Sequence, residues 1–381
     1  MPEGSPNKNS LENSTGQTQE NFVLVESNLK ARIERENPKL PENQRRLRIF
    51  TNGVNIGVIE RLRDSNPEVV GAKGVWLVID FDDVINLTTS SSLALFKQLS
   101  DATGISEAEL QKLYEQSKQE TATGKKLFRF NNFIDTVKIQ SKAPGKVQEI
   151  VDGFDFGAFI DQGVRRAILA LRALYPSQLR ISVLTYGDPE YQKMRLEQTD
   201  LEDMVDDVIY TEESKMHIIQ ALSVADYQSF IPSVEDATKD GGIAVIDTTE
   251  PVPVGRPFIV MVDDSPENLR DYRQLLSYRG LTSVRWKNSQ AKRVNVSDHE
   301  STQPRIVITD GPKNKAAVRL FETVQAAVVA RDELLAGGED AVLDVFRNES
   351  KTSELLKSKG ASSNLSMGNK NIDLESFIQA A

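Results

Sequence analysis

The run Val75, Trp76, Leu77, Val78, Ile79 constrains this chain more than any other stretch. Five consecutive apolar residues without polar alternation make a strand buried on both faces, as in a parallel sheet covered by helices on either side. Asp80, Phe81, Asp82, Asp83 and Val84 follow at once. In open α/β sheets ligands bind beyond the carboxyl ends of the strands, so Asp80 and Asp82 are the first candidates for chemistry.

The chain then alternates as βαβ units do. Residues 179–185 read as strand, 190–198 as helix, 205–210 as strand and 214–222 as helix. The apolar run 258–262 ends in Asp263 and Asp264, after which Ser265 and Pro266 supply a helix cap and a first-turn proline. Two further strands, 282–286 and 305–309, precede an amphipathic helix from about residue 313 to 335. The expected fold class is α/β, a three-layer Rossmann-like parallel sheet.

Around that core (71–87 and 161–310) the domain organisation is set by composition. Residues 1–20 carry almost no bulky apolar side chains and cannot offset the entropy of ordering, so they read as a disordered tail. Residues 21–70 form an N-terminal extension without a catalytic motif. Residues 88–160 read as mostly helical: Leu95 and Leu99 are four apart, and Ile105, Ser106, Glu109 and Leu110 combine a hydrophobic staple with a capping box. The polar, Gly- and Pro-bearing segment 223–257 interrupts the core as an insertion. Residues 311–381 read as a C-terminal helix and a mobile tail.

Charge and composition narrow the partners. The formal net charge of −10 offers no platform for nucleic acid or an anionic membrane, and a phosphate ester substrate would need local cations or a metal. The absence of cysteine excludes disulfides, thiolate metal sites and cysteine nucleophiles. No apolar run approaches membrane-spanning length and the polar start lacks a signal-peptide core, so a cytoplasmic protein is expected. His217 and His299, the only histidines, lack metal-ligand spacing. Asp200, Glu202, Asp203, Asp206 and Asp207 read as a solvated acidic face.

Four sites follow apolar strands or open helices: Asp80 with Asp82, Thr185, Lys215, and Asp263 with Asp264. Their order and types resemble the haloacid-dehalogenase-like superfamily of phosphatases and phosphotransferases over about residues 75–290. DFDDV matches the family's first motif, Leu184 and Thr185 its second, Lys215 its third (with Lys193 as a competitor), and VDDSPEN its fourth. The resemblance implies a Mg²⁺-dependent phosphohydrolase acting on a small phosphorylated substrate. Asp80 would be the nucleophile and Asp82 the general acid and base. Mg²⁺ would be held by Asp80, the Asp82 carbonyl and Asp263, with Asp264 ligating directly or through water. Thr185, Tyr186 and Gly187 would hold the phosphoryl oxygens, and Lys215 would neutralise charge. It further implies that the helical region 88–160 is a cap, with Arg129 and Asn132 as candidates to read the leaving group; the competing and favoured reading is that FRFNNF packs the cap helices together. Asp83, standing where related cap-bearing enzymes often carry Gly, would add a third carboxylate near the metal.

Two other readings compete. VMVDDSPENLRDYRQLL also resembles the opening of a response-regulator receiver, with Asp310 as the phosphate acceptor. Alternatively, the fold serves a catalytically silent binding protein whose terminal extensions contact partners that the sequence does not identify.

Overall fold

The computed structural model describes residues 20–26, 29–35, 47–52, 74–121, 126–212, 215, 218–219, 258–265, 268–269, 281–287, 306–309, 315–367 and 370–380. Nine strands form one sheet: β1 (Glu20–Glu26), β2 (Leu29–Arg35), β3 (Leu47–Asn52), β4 (Val75–Ile79), β7 (Leu179–Tyr186), β8 (Asp207–Thr211), β9 (Phe258–Asp263), β10 (Leu281–Lys287) and β11 (Ile306–Thr309). Two short hairpins, β5 (Lys118–Glu120) with β6 (Lys126–Phe128) and β12 (Asn364–Met367) with β13 (Lys370–Asp373), stand apart from it. The sheet order is β1-β2-β3-β8-β7-β4-β9-β10-β11. From β3 to β11 every neighbouring pair is parallel, and β1 and β2 add antiparallel strands at one edge.

The apolar run that anchors the sequence is the middle of this sheet. All five residues of β4 are buried, as are those of β7 up to Thr185 and all of β9. Burying a Val, Leu or Ile side chain contributes roughly 2 kcal/mol each, which is why such runs settle centrally. One face carries Val75, Leu77, Ile79, Ile181, Val183, Val208, Val260 and Val262, packed with α5 (Gln162–Leu174) and the long α7 (Lys315–Arg347). Trp76, Val78, Ile259 and Met261, on the other face, are buried too.

Between β4 and α5 the chain forms a helical unit with its own core. It comprises α1 (Thr88–Thr103), α2 (Glu107–Gln116), α3 (Phe130–Gln140) and α4 (Pro144–Gly153), with a 3-10 turn at Phe156–Phe159. Gly104, at φ 74°, ends α1 in the left-handed conformation that glycine adopts without strain. Ser106 caps α2 by accepting from the Glu109 amide at 3.3 Å, as the capping-box spacing predicts. Leu95, Leu99, Leu110, Leu113, Phe133 and Val147 meet in one apolar cluster. Phe128, Phe130 and Phe133 are therefore packing residues. Among the described residues, no helix is long and apolar enough to cross a membrane.

The expected mobile C-terminal tail is instead packed. After α7 come α8 (Glu349–Ser358), the β12–β13 hairpin and α9 (Leu374–Gln379). Leu356, Leu365, Leu374 and Ile378 are buried against the main core. These apolar residues are widely spaced in a polar sequence, and only tertiary contacts bring them together. Of the tail read as disordered, residues 1–20, only Glu20 is described, as the first residue of β1; residues 1–19, the insertion 223–257, His217, His299 and Asp310 lie outside the described residues.

Candidate active site

Register places the acidic motifs side by side. Ile79 pairs with Val262 in the parallel ladder, and the Asp80 amide donates to the Val262 carbonyl at 2.8 Å, so Asp80 and Asp263 leave neighbouring strands together. Carboxylate oxygens of Asp80, Asp263 and Asp264 lie within 4.8 Å of one another. Lys215, four residues after β8, reaches them with Nζ 2.7 Å from Asp80 Oδ1 and 2.9 Å from Asp263 Oδ2. Lys193, its competitor in sequence, faces Glu197 on α6 (Pro189–Glu197), 4.0 Å away.

These groups are held out of water. Asp80 is 6% exposed, Asp263 1% and Lys215 4%. Burial raises the Asp80 carboxyl well above the ordinary carboxylate range; Lys215 pulls it down, while Asp263, Asp264 and Asp82 add to the rise. Burial works against the Lys215 ammonium, but the Asp263 and Asp80 carboxylates outweigh it and lift its pKa above the usual lysine value. Asp263 is further fixed by the Ser265 amide at 2.8 Å and by Asn268 Nδ2 at 3.1 and 3.2 Å.

Three carboxylates thus converge at the strand ends, and Lys215 pairs with two of them. Buried charges are expected to be paired or to coordinate a metal. Carboxylates are hard oxygen donors of the kind Mg²⁺ takes. The donor set therefore fits the cation that the sequence implies.

Thr185 ends β7 at the same rim of the sheet. Its hydroxyl is fully buried and has no hydrogen-bond partner among the described residues, which costs stability unless something else meets it. The Gly187 amide, by contrast, donates to the Thr211 carbonyl at 3.0 Å. It is thus committed to the backbone and not free to hold a phosphoryl oxygen as the sequence suggested. A Cβ on Gly187 would meet Gln192 Nε2 at 2.5 Å, so its small size lets Gln192 approach. Tyr186, the last residue of β7, is partly buried.

Asp82 points into a different environment. Its Oδ1 accepts from Thr88 Oγ1 and Arg195 Nη1, each at 2.6 Å, and its Oδ2 from Gln192 Nε2 at 2.8 Å. Burial alone would raise its pKa, but Arg195 and the Thr88, Arg195 and Gln192 hydrogen bonds outweigh that and hold the carboxyl below the ordinary range. Asp80 and Asp82, two positions apart, thus carry opposite shifts, Asp80 raised and Asp82 lowered; a cation bound at Asp80 would bring its carboxyl down toward the ionised form that a nucleophile needs.

Asp83, expected near the metal, caps the helical unit instead. It adopts φ 54°, and its carboxylate accepts from the Thr89 amide and hydroxyl, each at 3.0 Å, at the start of α1. Arg129, proposed to read a leaving group, is ion-paired with Glu212 just after β8, and Asp188 lies 4.0 Å away. Asn132 is exposed on α3. Sequence reasoning missed Arg195, Gln192, Thr88 and Asn86; the nearness of Asn86 and Thr88 to DFDDV was the only signal.

No protein-family model and no curated protein matches the sequence. Solved structures similar to the chain include a protein assigned as a haloacid dehalogenase-like hydrolase from Burkholderia xenovorans, 12% identical, TM-score 0.40, over 64% of this chain and 98% of the other. A protein assigned as a beta-phosphoglucomutase from Thermotoga maritima is 10% identical, TM-score 0.38, over 66% and 99%. A haloacid dehalogenase-like family hydrolase from Xanthomonas campestris is 15% identical, TM-score 0.34, over 65% and 91%. Such similarities are too remote to carry a functional conclusion.

Proposed function

We propose that this chain is a Mg²⁺-dependent phosphohydrolase of the haloacid-dehalogenase-like type, acting in the cytoplasm on a small phosphorylated metabolite through an aspartyl-phosphate at Asp80. The observation that carries this reading is the convergence of three carboxylates, Asp80, Asp263 and Asp264, at the ends of neighbouring strands, with Lys215 paired to the first two. Asp80, the Asp82 carbonyl, Asp263 and Asp264 would hold Mg²⁺, which when bound supplies the charge that lets an anionic nucleophile approach an anionic phosphoryl group.

The Asp80 carboxylate attacks phosphorus, and the bond from phosphorus to the leaving oxygen breaks. Asp82 delivers a proton to that oxygen and later takes one from the water that hydrolyses the aspartyl-phosphate. Lys215 orients Asp80 and offsets charge on the transferring group, while the Thr185 hydroxyl donates to a phosphoryl oxygen. The helical unit acts as a cap that keeps bulk water from the reacting groups.

Phosphate release from an aryl phosphate, then from sugar phosphates, nucleotides and phospho-amino acids, tests the proposal. Asp80→Asn is expected to lower turnover by at least about 10⁴-fold. Mg²⁺-independent release, or release that survives in Asp80→Asn, would contradict it. A receiver is disfavoured because, among the described residues, no strand joins the sheet after β11, whereas a receiver needs two more.

A further inference from the structure

The least expected side chain in the molecule is Arg195. It is 1% exposed, although arginine is almost never fully buried unless paired. Its guanidinium lies 5.0 Å from the Phe81 ring centroid, 5.2 Å from Tyr191 and 5.9 Å from Phe156. These rings come from three places: the first acidic motif, α6, and the 3-10 turn that closes the helical unit.

The polar contacts of Arg195 follow the same division. Nη1 donates to Asp82 Oδ1 at 2.6 Å and to Gln192 Oε1 at 3.1 Å. Nη2 donates to Asn86 Oδ1 at 2.9 Å and to Thr88 Oγ1 at 2.7 Å. Asn86 bonds on to the Phe156 carbonyl at 3.2 Å, and the Thr88 hydroxyl that accepts from Arg195 donates to Asp82. Residues 86–88 are where the chain leaves the sheet for α1, so one planar fork spans the Asp82 carboxylate and the hinge of the helical unit. Among the described residues Arg195 Nε has no hydrogen-bond partner. The geometry of the fork is therefore set by Asp82, Asn86 and Thr88, at the expense of a buried donor.

We propose that Arg195 is a positioning residue that couples the aim of the Asp82 carboxylate to the seating of the helical unit on α6. Phe130 stacks on Tyr191 at 4.2 Å, and Phe128 and Phe156 meet the same ring edge-on, so the helical unit rests on the turn of α6 that presents Arg195. Unseating the unit moves Asn86, Thr88 and Phe156, and with them the partners that share Asp82 with Arg195. The role in catalysis rests on the phosphohydrolase reading; the mechanical coupling does not.

Arg195→Lys tests it, because lysine keeps the charge and much of the stem but cannot reach Asp82, Asn86 and Thr88 at once. Amide hydrogen exchange of the full-length protein is expected to rise together in residues 80–89 and 156–160, with 162–174 unchanged. A rise confined to 189–198, or none, would overturn the coupling whether or not the protein turns over phosphate. With an active wild type, Arg195→Lys is expected to lower kcat on the order of 100-fold with KM nearly unchanged. In an Asp82→Asn background the same substitution should cost little more, since the two side chains act as a unit. Unchanged kcat, or additive losses, would overturn the positioning role. A wild type that releases no phosphate would defeat the phosphohydrolase reading alone and leave the exchange result to decide the coupling.

Discussion

The sheet buries charged groups at both ends and treats them differently. At the amino ends of β7 and β8, Arg180 binds Asp207 through two parallel hydrogen bonds, Nε to Oδ2 at 2.7 Å and Nη2 to Oδ1 at 2.5 Å. Ser182 Oγ donates to the same Asp207 oxygen at 2.7 Å, and Trp76 Nε1 donates to Ser182 at 2.8 Å. One arginine meets one carboxylate and the oxygens are well supplied with donors. At the carboxyl ends, three carboxylates lie within 4.8 Å of one another, Lys215 pairs with two of them, and among the described residues the Thr185 hydroxyl has no hydrogen-bond partner. The first set is a one-to-one pair with its hydrogen bonds made, whereas the second gathers more carboxylates than the lysine that pairs with them, a donor set of the kind a cation takes. Burial of charge therefore does not mark a site by itself; carboxylates converging at the carboxyl ends of neighbouring strands do.

Lys215→Met would break this contrast most severely. It leaves Asp80 and Asp263 facing each other without a counter-charge, a loss of about 3 to 5 kcal/mol of folding stability. Urea unfolding should show that loss, and initial rates should fall on the order of 10³-fold.

Asp207→Asn sharpens the contrast from the other end. Arg180 keeps its charge and loses its counter-ion, so stability should fall by about 3 kcal/mol. Turnover per folded molecule at 25 °C should stay within about twofold, because the two ends share no side-chain partner. A large kcat loss with intact folding would mean that the amino-end network is functional after all.

Thr185→Val is the smallest perturbation. It removes a buried hydroxyl that has no partner among the described residues, so stability should hold or rise by about 1 kcal/mol. Phosphate release should fall about tenfold or more, since a donor to the transferring group is gone. Opposite signs for stability and activity are expected of a group kept for function.

The carboxyl end was the more legible half. An unbroken apolar run announces a central strand, and acids directly after two such runs converge wherever those strands are neighbours, as β4 and β9 are. Lys215 could be ranked above Lys193 only once the chain was folded, because the spacing along a chain does not say which lysine turns inward. Arg195 gave no warning: α6 carries few apolar residues, and an arginine in such a helix reads as solvated. Asp206 and Asp207, read as part of a solvated acidic face, instead bond the Ile181 amide at 2.8 Å and Arg180. Their partners lie about 25 residues away across the β7–β8 pairing, a distance over which local pattern is silent. Strands β1 to β3 join the sheet through β8, and that pairing likewise depends on long-range register.

The most direct measurement is thermal unfolding with and without Mg²⁺ for wild type, Asp263→Asn and Asp207→Asn. A cation at 100 times its dissociation constant stabilises the folded state by about 2.7 kcal/mol. Wild type and Asp207→Asn should both melt higher with Mg²⁺, and Asp263→Asn should not respond. Equal Mg²⁺ responses in all three, or none in the wild type, would contradict a cation site among Asp80, Asp263 and Asp264.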